Sequence, residues 1–257
     1  MRKRMLYFIF LTLFVSLFVT GCEKEKIKGK EVQPTSTQHL VIQKESLKVS
    51  LKESACKKIE EMKKELPKSA TIEVSPILQN PELPTGCESV ALTMALESLG
   101  YELEKTQIAD EYLIYSQENY AAGYVGDPYS YAGVGIYPPG LAQSANRFLE
   151  QHYQQQTAYD ISKLRFEELF PYVAAGFPVL IWLTIDYEKP YISSASATYN
   201  VEEYIWYWNE HCVMLGGYDL EDQTVVLYDP LQGRVIQNIE TVQSIFEEAG
   251  RMAVAIY

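Results

Sequence analysis

Cys87 follows Gly86 directly and opens an apolar-periodic stretch that runs to Leu99 before Gly100. A thiol at the head of a helix meets unpaired backbone N–H groups and the positive end of the helix dipole. Both favour the thiolate, so the sequence predicts a lowered pKa and an activated sulfur nucleophile. Gly86 lets the chain turn there without a side chain in the way. Only three histidines are present. His39 lies in a polar stretch and His152 at the polar end of a predicted helix, whereas His211 opens the apolar run His211-Cys212-Val213-Met214-Leu215. Period-two alternation puts His211, Val213 and Leu215 on one strand face and Cys212 on the other, turned toward the core. That orientation speaks against a Cys87–Cys212 disulfide. A second strand, Thr224 to Tyr228, ends in Asp229-Pro230-Leu231 and would form a hairpin with the first. Asp229 would then lie near His211 and hold its imidazole in one tautomer. Gln79 precedes the thiol by a short extended stretch and is the candidate oxyanion donor, with Asn80 as the fallback. Each residue also has a plain structural explanation: a core thiol, a satisfied strand-end histidine, an Asp-Pro turn.

Positioning these groups requires a folded body, and a domain is expected over 71–257, long enough for one sizeable core. Helices are predicted from the Thr85-Gly86-Cys87 step to Leu99, from Pro139 to about Gln151, and from Ser162 to Ala175 before Gly176. Pro178 to Ile185 reads as a buried strand, and His211–Tyr218, Thr224–Tyr228 and Arg251–Tyr257 as three more. Helices first and strands last predict an α+β class with an antiparallel sheet. Tyr115–Pro139 and Ser193–Asn200 read as surface loops. Many of the 20 tyrosines fall in such segments, where they either line a groove or simply pack.

Upstream, Met1-Arg2-Lys3-Arg4 and an apolar run from Met5 to Val19 describe a secretory signal over 1–21. The run is shorter than the roughly 20 residues of a spanning helix. Val19-Thr20-Gly21-Cys22 resembles the lipobox of bacterial lipoproteins, which implies lipidation of Cys22 and an extracellular location anchored to the membrane. Within 22–70, Glu23 to Gln43 is expected to be a flexible tether and Lys44 to Leu66 a helix, with Leu47, Leu51, Ala55, Ile59, Met62 and Leu66 on one face. Removing Arg2, Lys3 and Arg4 takes the formal net charge from −12 to −15. Such a surface repels nucleic acid. With Cys22 lipidated, Cys56, Cys87 and Cys212 remain, so this is not a disulfide scaffold.

The segments Leu83-Pro84-Thr85-Gly86-Cys87-Glu88-Ser89, Gly126-Asp127-Pro128, Tyr137-Pro138-Pro139-Gly140-Leu141-Ala142, Glu210-His211-Cys212-Val213-Met214-Leu215-Gly216-Gly217-Tyr218-Asp219 and Tyr228-Asp229-Pro230-Leu231 occur in an informative order. Together they resemble the papain-like proteins similar to the leader-cleaving peptidases of bacteriocin exporters, cysteine peptidase family thirty-nine, without the transporter. The resemblance covers roughly residues 72 to 257. It implies a papain-like fold, helices packed on a C-terminal antiparallel sheet, with Cys87 as nucleophile, His211 as general base, Asp229 as its orienter and Gln79 as oxyanion donor. The exporter peptidases usually carry Asp-Cys-Gly where this chain has Gly86-Cys87-Glu88, and the Gln79-to-Cys87 spacing is longer than in papain.

The expected function is hydrolysis of a peptide or amide bond by a thiol, on a secreted or cell-wall peptide, with no metal or organic cofactor. Two rivals stand beside it: a papain-like binding module without activity, and an acyltransferase or transpeptidase using the same residues. A zinc site built from Cys87, His211 and Cys212 fails on ligand spacing.

Overall fold

The computed structural model describes residues 36–152 and 155–257, with side chains from residue 48 on. The expected signal segment, Cys22 and the tether as far as residue 35 lie outside the described residues. The site lies within the unit Gln43–Tyr257.

Helix α1 (Ser36–Lys64) begins eight residues before the expected Lys44, so the last part of the expected tether is helical. Its predicted face holds where the side chains are described: Ala55 and Ile59 are buried, and Met62 packs on the core. Lys63 and Lys64 occupy the last turn, the end at which cations suit the dipole, and Pro67 follows. No helix among the described residues is long and apolar enough to cross a membrane.

Strand β1 (Ser69–Thr71) leads to α2 (Cys87–Ser98). The sequence predicts one apolar face for α2, but every residue from Cys87 to Leu96 is buried. The helix is enclosed on all sides, so its polar residues need internal partners. Ser89 donates to the Gly86 carbonyl and Thr93 to the Ser89 carbonyl. Helix α3 (Pro138–Gln151) starts one residue before the expected Pro139 and carries its prolines in the first turn, where no N–H is missed. The expected Ser162–Ala175 helix shrinks to a 3₁₀ turn over Phe166–Leu169 and α4 (Phe170–Ala174). Lys163 takes a left-handed φ of 74° and Arg165 is extended, so no helix starts before Phe166.

Strands β2 (Ala158–Asp160), β3 (Val179–Thr184), β4 (Ile192–Tyr199), β5 (Glu202–Tyr207), β6 (Glu210–Asp219), β7 (Thr224–Asp229) and β8 (Gly233–Asn238) follow. Helix α5 (Ile239–Glu248) and β9 (Ala253–Ile256) close the chain. The Ser193–Asn200 stretch, expected from sequence to be a loop, is the strand β4, paired with β5. Its Ser/Ala run buries only Ala197 and so shows no apolar alternation. Asn200 and Val201, both at positive φ, make the tight turn.

The main sheet runs β8-β7-β6-β3-β9-β2, all antiparallel. β6 is its longest strand. β3 pairs its first half and β1 its last three residues on the same side, with β7 on the other. The β6–β7 register shifts between Leu215 and Gly217. At Gly216 a Cβ would stand 2.3 Å from the Tyr228 ring, so only glycine fits this bulge. The fold is thus α+β, with α2 packed on β6 and β3.

Candidate active site

Three elements meet around one cleft of about 540 Å³. α2 presents Cys87 as its first residue, with Gly86 as N-cap and no side-chain cap. A Cβ at Gly86 would lie 2.9 Å from Leu83 Cβ, so the close turn onto the helix requires glycine. β6 supplies Glu210 and His211, opposite Thr184 and Leu183 of β3. β7 ends in Asp229. Carrying the register Met214 opposite Tyr228 one residue further sets Asp229 across from Val213, diagonal to His211 and on its face.

Cys87, His211 and Gln79 all line the cleft. Glu210 and His211 are consecutive, so alternation sends them to opposite faces of β6. Both nevertheless border the cleft with Cys87. The cleft therefore runs past the edge of the strand, and the Cys212 amide lies near enough to the sulfur to favour its anion.

His211 and Asp229 are buried and joined by a 2.7 Å hydrogen bond between Nε2 and Oδ1. Asp229 Oδ1 also accepts the Leu231 amide at 2.7 Å, and Oδ2 accepts the Tyr187 hydroxyl at 2.8 Å. Burial works against the carboxylate, but His211, the Leu231 amide and Tyr187 outweigh it and hold the Asp229 pKa below its ordinary value. An ionised Asp229 is acceptor-only, so Nε2 carries the proton and Nδ1 is the basic nitrogen.

Gln79 is buried and in the cleft, with Asn80 beside it. Its amide Nε2 donates one N–H to the Pro84 carbonyl at 2.8 Å, and its Oε1 is buried without a partner among the described residues. One N–H of the amide is committed to the loop, and one remains.

The expectation of a lowered Cys87 pKa is reversed. Burial pushes the thiol up, the neighbouring Glu88 and Glu210 push it further, and the Cys212 amide only partly offsets them. Sequence reasoning misses these two glutamates; their adjacency to Cys87 and His211 is the only signal. Cys87 Sγ donates to Glu88 Oε2 at 3.3 Å, and Glu88 Oε1 accepts the Ile136 amide at 2.7 Å. Burial raises Glu88 to about 7 and lifts Glu210 well above the carboxylate range. One polar atom from each of Cys87, Glu88 and Glu210 falls within 4.8 Å of the others. Cys212 is buried and free, as are Cys87 and, half-buried, Cys56. It lies closer to the site than expected, because Glu88 and Glu210 act on its thiol too.

Much of the rest of the cleft wall is apolar. Trp206, Val134 and Leu231 contribute, and Trp208 (73% exposed) and Tyr131 (87%) stand at its rim. Half of the tyrosines of the Tyr115–Pro139 segment pack into the core instead of lining it: Tyr120, Tyr124 and Tyr137 are buried, and Tyr137 stacks on Trp206 at 5.4 Å.

An enclosed helix headed by a thiol and packed on an antiparallel sheet is the architecture of papain-like cysteine peptidases. A family model described as the Peptidase_C39 like family matches residues 71–254, and the chain belongs to that family. The uncharacterized protein YvpB of Bacillus subtilis (strain 168) is 30% identical over 226 residues, 82% of this chain and 86% of YvpB. A Bacillus anthracis structure assigned as a C39-like peptidase is similar at a TM-score of 0.63 and 28% identity, covering 74% of this chain and 97% of that one. The peptidase domain of Streptococcus ComA, a bi-functional ABC transporter of a quorum sensing pathway, matches at 0.43 and 13%, covering 72% and 97%.

Proposed function

We propose that the protein is an extracellular, lipid-anchored cysteine peptidase, with Cys87 as nucleophile, His211 as general base, Asp229 as its orienter and Gln79 as oxyanion donor. The observation that carries this reading is the placement of Cys87 and an Asp229-held imidazole on one cleft. In the reaction, His211 Nδ1 takes the thiol proton and the sulfur attacks the peptide carbonyl carbon. The free N–H of Gln79 and the Cys87 backbone N–H receive the oxyanion. The imidazolium then protonates the leaving amine as the C–N bond breaks. Water, deprotonated by His211, releases the acid from the thioester and restores the thiol. The Lys- and Arg-free cleft lining suits a peptide with apolar side chains near the scissile bond.

The location rests on the Val19-Thr20-Gly21-Cys22 motif and the basic-apolar leader. Cys22→Ala in the full chain is expected to release the protein from the membrane fraction of an expressing bacterium. Retention in that fraction, with an intact leader, would count against the anchor. A second reading, a binding fold without turnover, is favoured by one observation: burial and two glutamates hold Cys87 as a thiol. A peptide library incubated with the protein and with Cys87→Ala separates the two. Cleavage lost in the variant supports the peptidase, and equal, null profiles support the binder.

A further inference from the structure

Two buried carboxyl groups beside the thiol have no part in the peptidase mechanism. Glu88 is fully buried and Glu210 is 8% exposed. Their oxygens crowd one point: a Cβ on Gly135 would stand 2.6 Å from Glu88 Oε1 and 3.3 Å from Glu210 Oε2. No ion pair among the described residues reaches either one. The groups that face them are Cys87 from α2, Cys212 from β6, Tyr207 from β5, and Tyr124 and Tyr137 from the preceding loop, with His211 on the other face of β6 bordering the same cleft. None supplies a fixed positive charge. Two carboxylates this close in a dry site cannot both be ionised.

Their hydrogen-bond partners differ. Glu88 accepts two donors, the Ile136 N–H and the Cys87 S–H. Glu210 Oε1 accepts none from the described residues. An ionised carboxylate needs donors and a protonated one needs an acceptor. The negative charge therefore belongs on Glu88 and the proton on Glu210, whose oxygen lies within 4.8 Å of the neighbouring carboxylate.

We propose that Glu88 and Glu210 are positioning residues for the nucleophile: they hold one proton between them, with Glu210 the acid and Glu88 the carboxylate that fixes the Cys87 S–H until His211 removes it. The pair keeps its single proton throughout. The thiol proton passes from Sγ to His211 Nδ1, and Glu88 exchanges a hydrogen-bond donor for a neighbouring anion. The resting sulfur is thus protected, and the Glu88 charge sets how strongly His211 must compete for its proton. The proposal rests on the reading of Cys87 as nucleophile and His211 as its base.

The test is the pH profile of Cys87 alkylation by iodoacetamide in the full chain, located by mass spectrometry so that Cys56 does not interfere. Glu88→Gln removes the charge and is expected to lower the alkylation midpoint by about one unit or more, a roughly tenfold gain at pH 7. Glu210→Gln replaces a neutral acid by a neutral amide and is expected to shift the midpoint by less than a third of that. Equal shifts in the two variants, or no shift in Glu88→Gln, would overturn the proposal. Infrared spectroscopy gives an independent reading should either variant fold poorly. A protonated-carboxyl stretch at pH 8.5, above the range in which Glu88 titrates, that Glu210→Gln removes supports the assignment, and its absence from the native protein refutes it. His211→Ala isolates the underlying reading: if Cys87 alkylation at pH 7 is the same without His211, the peptidase assignment falls while the asymmetry between the glutamates still stands or falls by its own measurement.

Discussion

Asp229→Asn isolates the charge behind the imidazole. The amide keeps nearly the same shape, so its oxygen can still face His211 Nε2 and the Leu231 amide while its NH2 meets the Tyr187 oxygen. What is lost is the negative charge at 2.7 Å from a ring that must become imidazolium. A hydrogen bond to a charged partner is worth about 1.5–3 kcal/mol, which corresponds to a roughly 10- to 150-fold fall in thiol reactivity at pH 7. The assay is the second-order rate of Cys87 alkylation, with near-ultraviolet circular dichroism as the check on folding. A folded variant within twofold of the native rate would refute the claim that Asp229 acts electrostatically through His211. The sign of the pH effect supplies a control. Asp229 titrates below its ordinary value in the folded protein, so its stabilising contribution is complete above the unfolded value of about 3.9 and disappears as the pH falls through the lower, folded one. The melting temperatures of the native protein and Asp229→Asn should therefore converge in strong acid and separate above about pH 4.

Three further outcomes can be checked. Burial raises Glu88 from 4.5 to about 7, so the folded state binds the extra proton and stability falls as the pH rises through that window; Glu88→Gln should be more heat-stable relative to the native protein at pH 8 than at pH 5, and a constant difference would contradict the assignment. Gly216→Ala places a Cβ 2.3 Å from the Tyr228 ring inside a strand-to-strand bulge, and a loss of about 1–3 kcal/mol is expected, read as a lower denaturation midpoint; a neutral result would show that the bulge relaxes freely. Trp208→Ala removes an exposed ring at the rim of the cleft; it should leave the melting temperature within about a degree, given the near-neutral cost of surface changes, and raise KM for peptides with large apolar residues while leaving small-residue peptides unaffected.

The positions of Cys87, His211 and Asp229 are legible in the sequence because each sits at or near the end of a strongly patterned element. A helix begins at Cys87, a strand of continuous apolar residues carries His211, and the adjoining strand ends at Asp229. Their meeting depends on hairpin pairing, which the short turn between the strands already implies. The protonation of the site is not legible. A helix end concerns one helix alone, whereas the state of Cys87 is set by burial, by the adjacent Glu88 and by Glu210, which lies 123 positions away in the chain. The Ser/Ala-rich β4 escapes sequence reasoning because it buries one side chain, and β8 and α5 because they follow a turn at Gln232-Gly233 that no apolar run announces. The 162–165 stretch reads as helix because its periodicity continues upstream of a backbone that has already turned left-handed at Lys163.

Helix α1 bears on where the chain can be cut. The family match starts at residue 71, yet Ala55 and Ile59 are already buried against the body of the protein, and Lys58 lies 5.5 Å over the ring of Phe177. Lys52 covers Tyr159 in the same manner at 4.7 Å. A fragment that begins at the match boundary would strip a lid of helix from Phe177, Tyr159 and Tyr257, exposing greasy surface and inviting aggregation. Recombinant versions should therefore keep the polypeptide from about residue 43 onward, so that the helix travels with the body it shields.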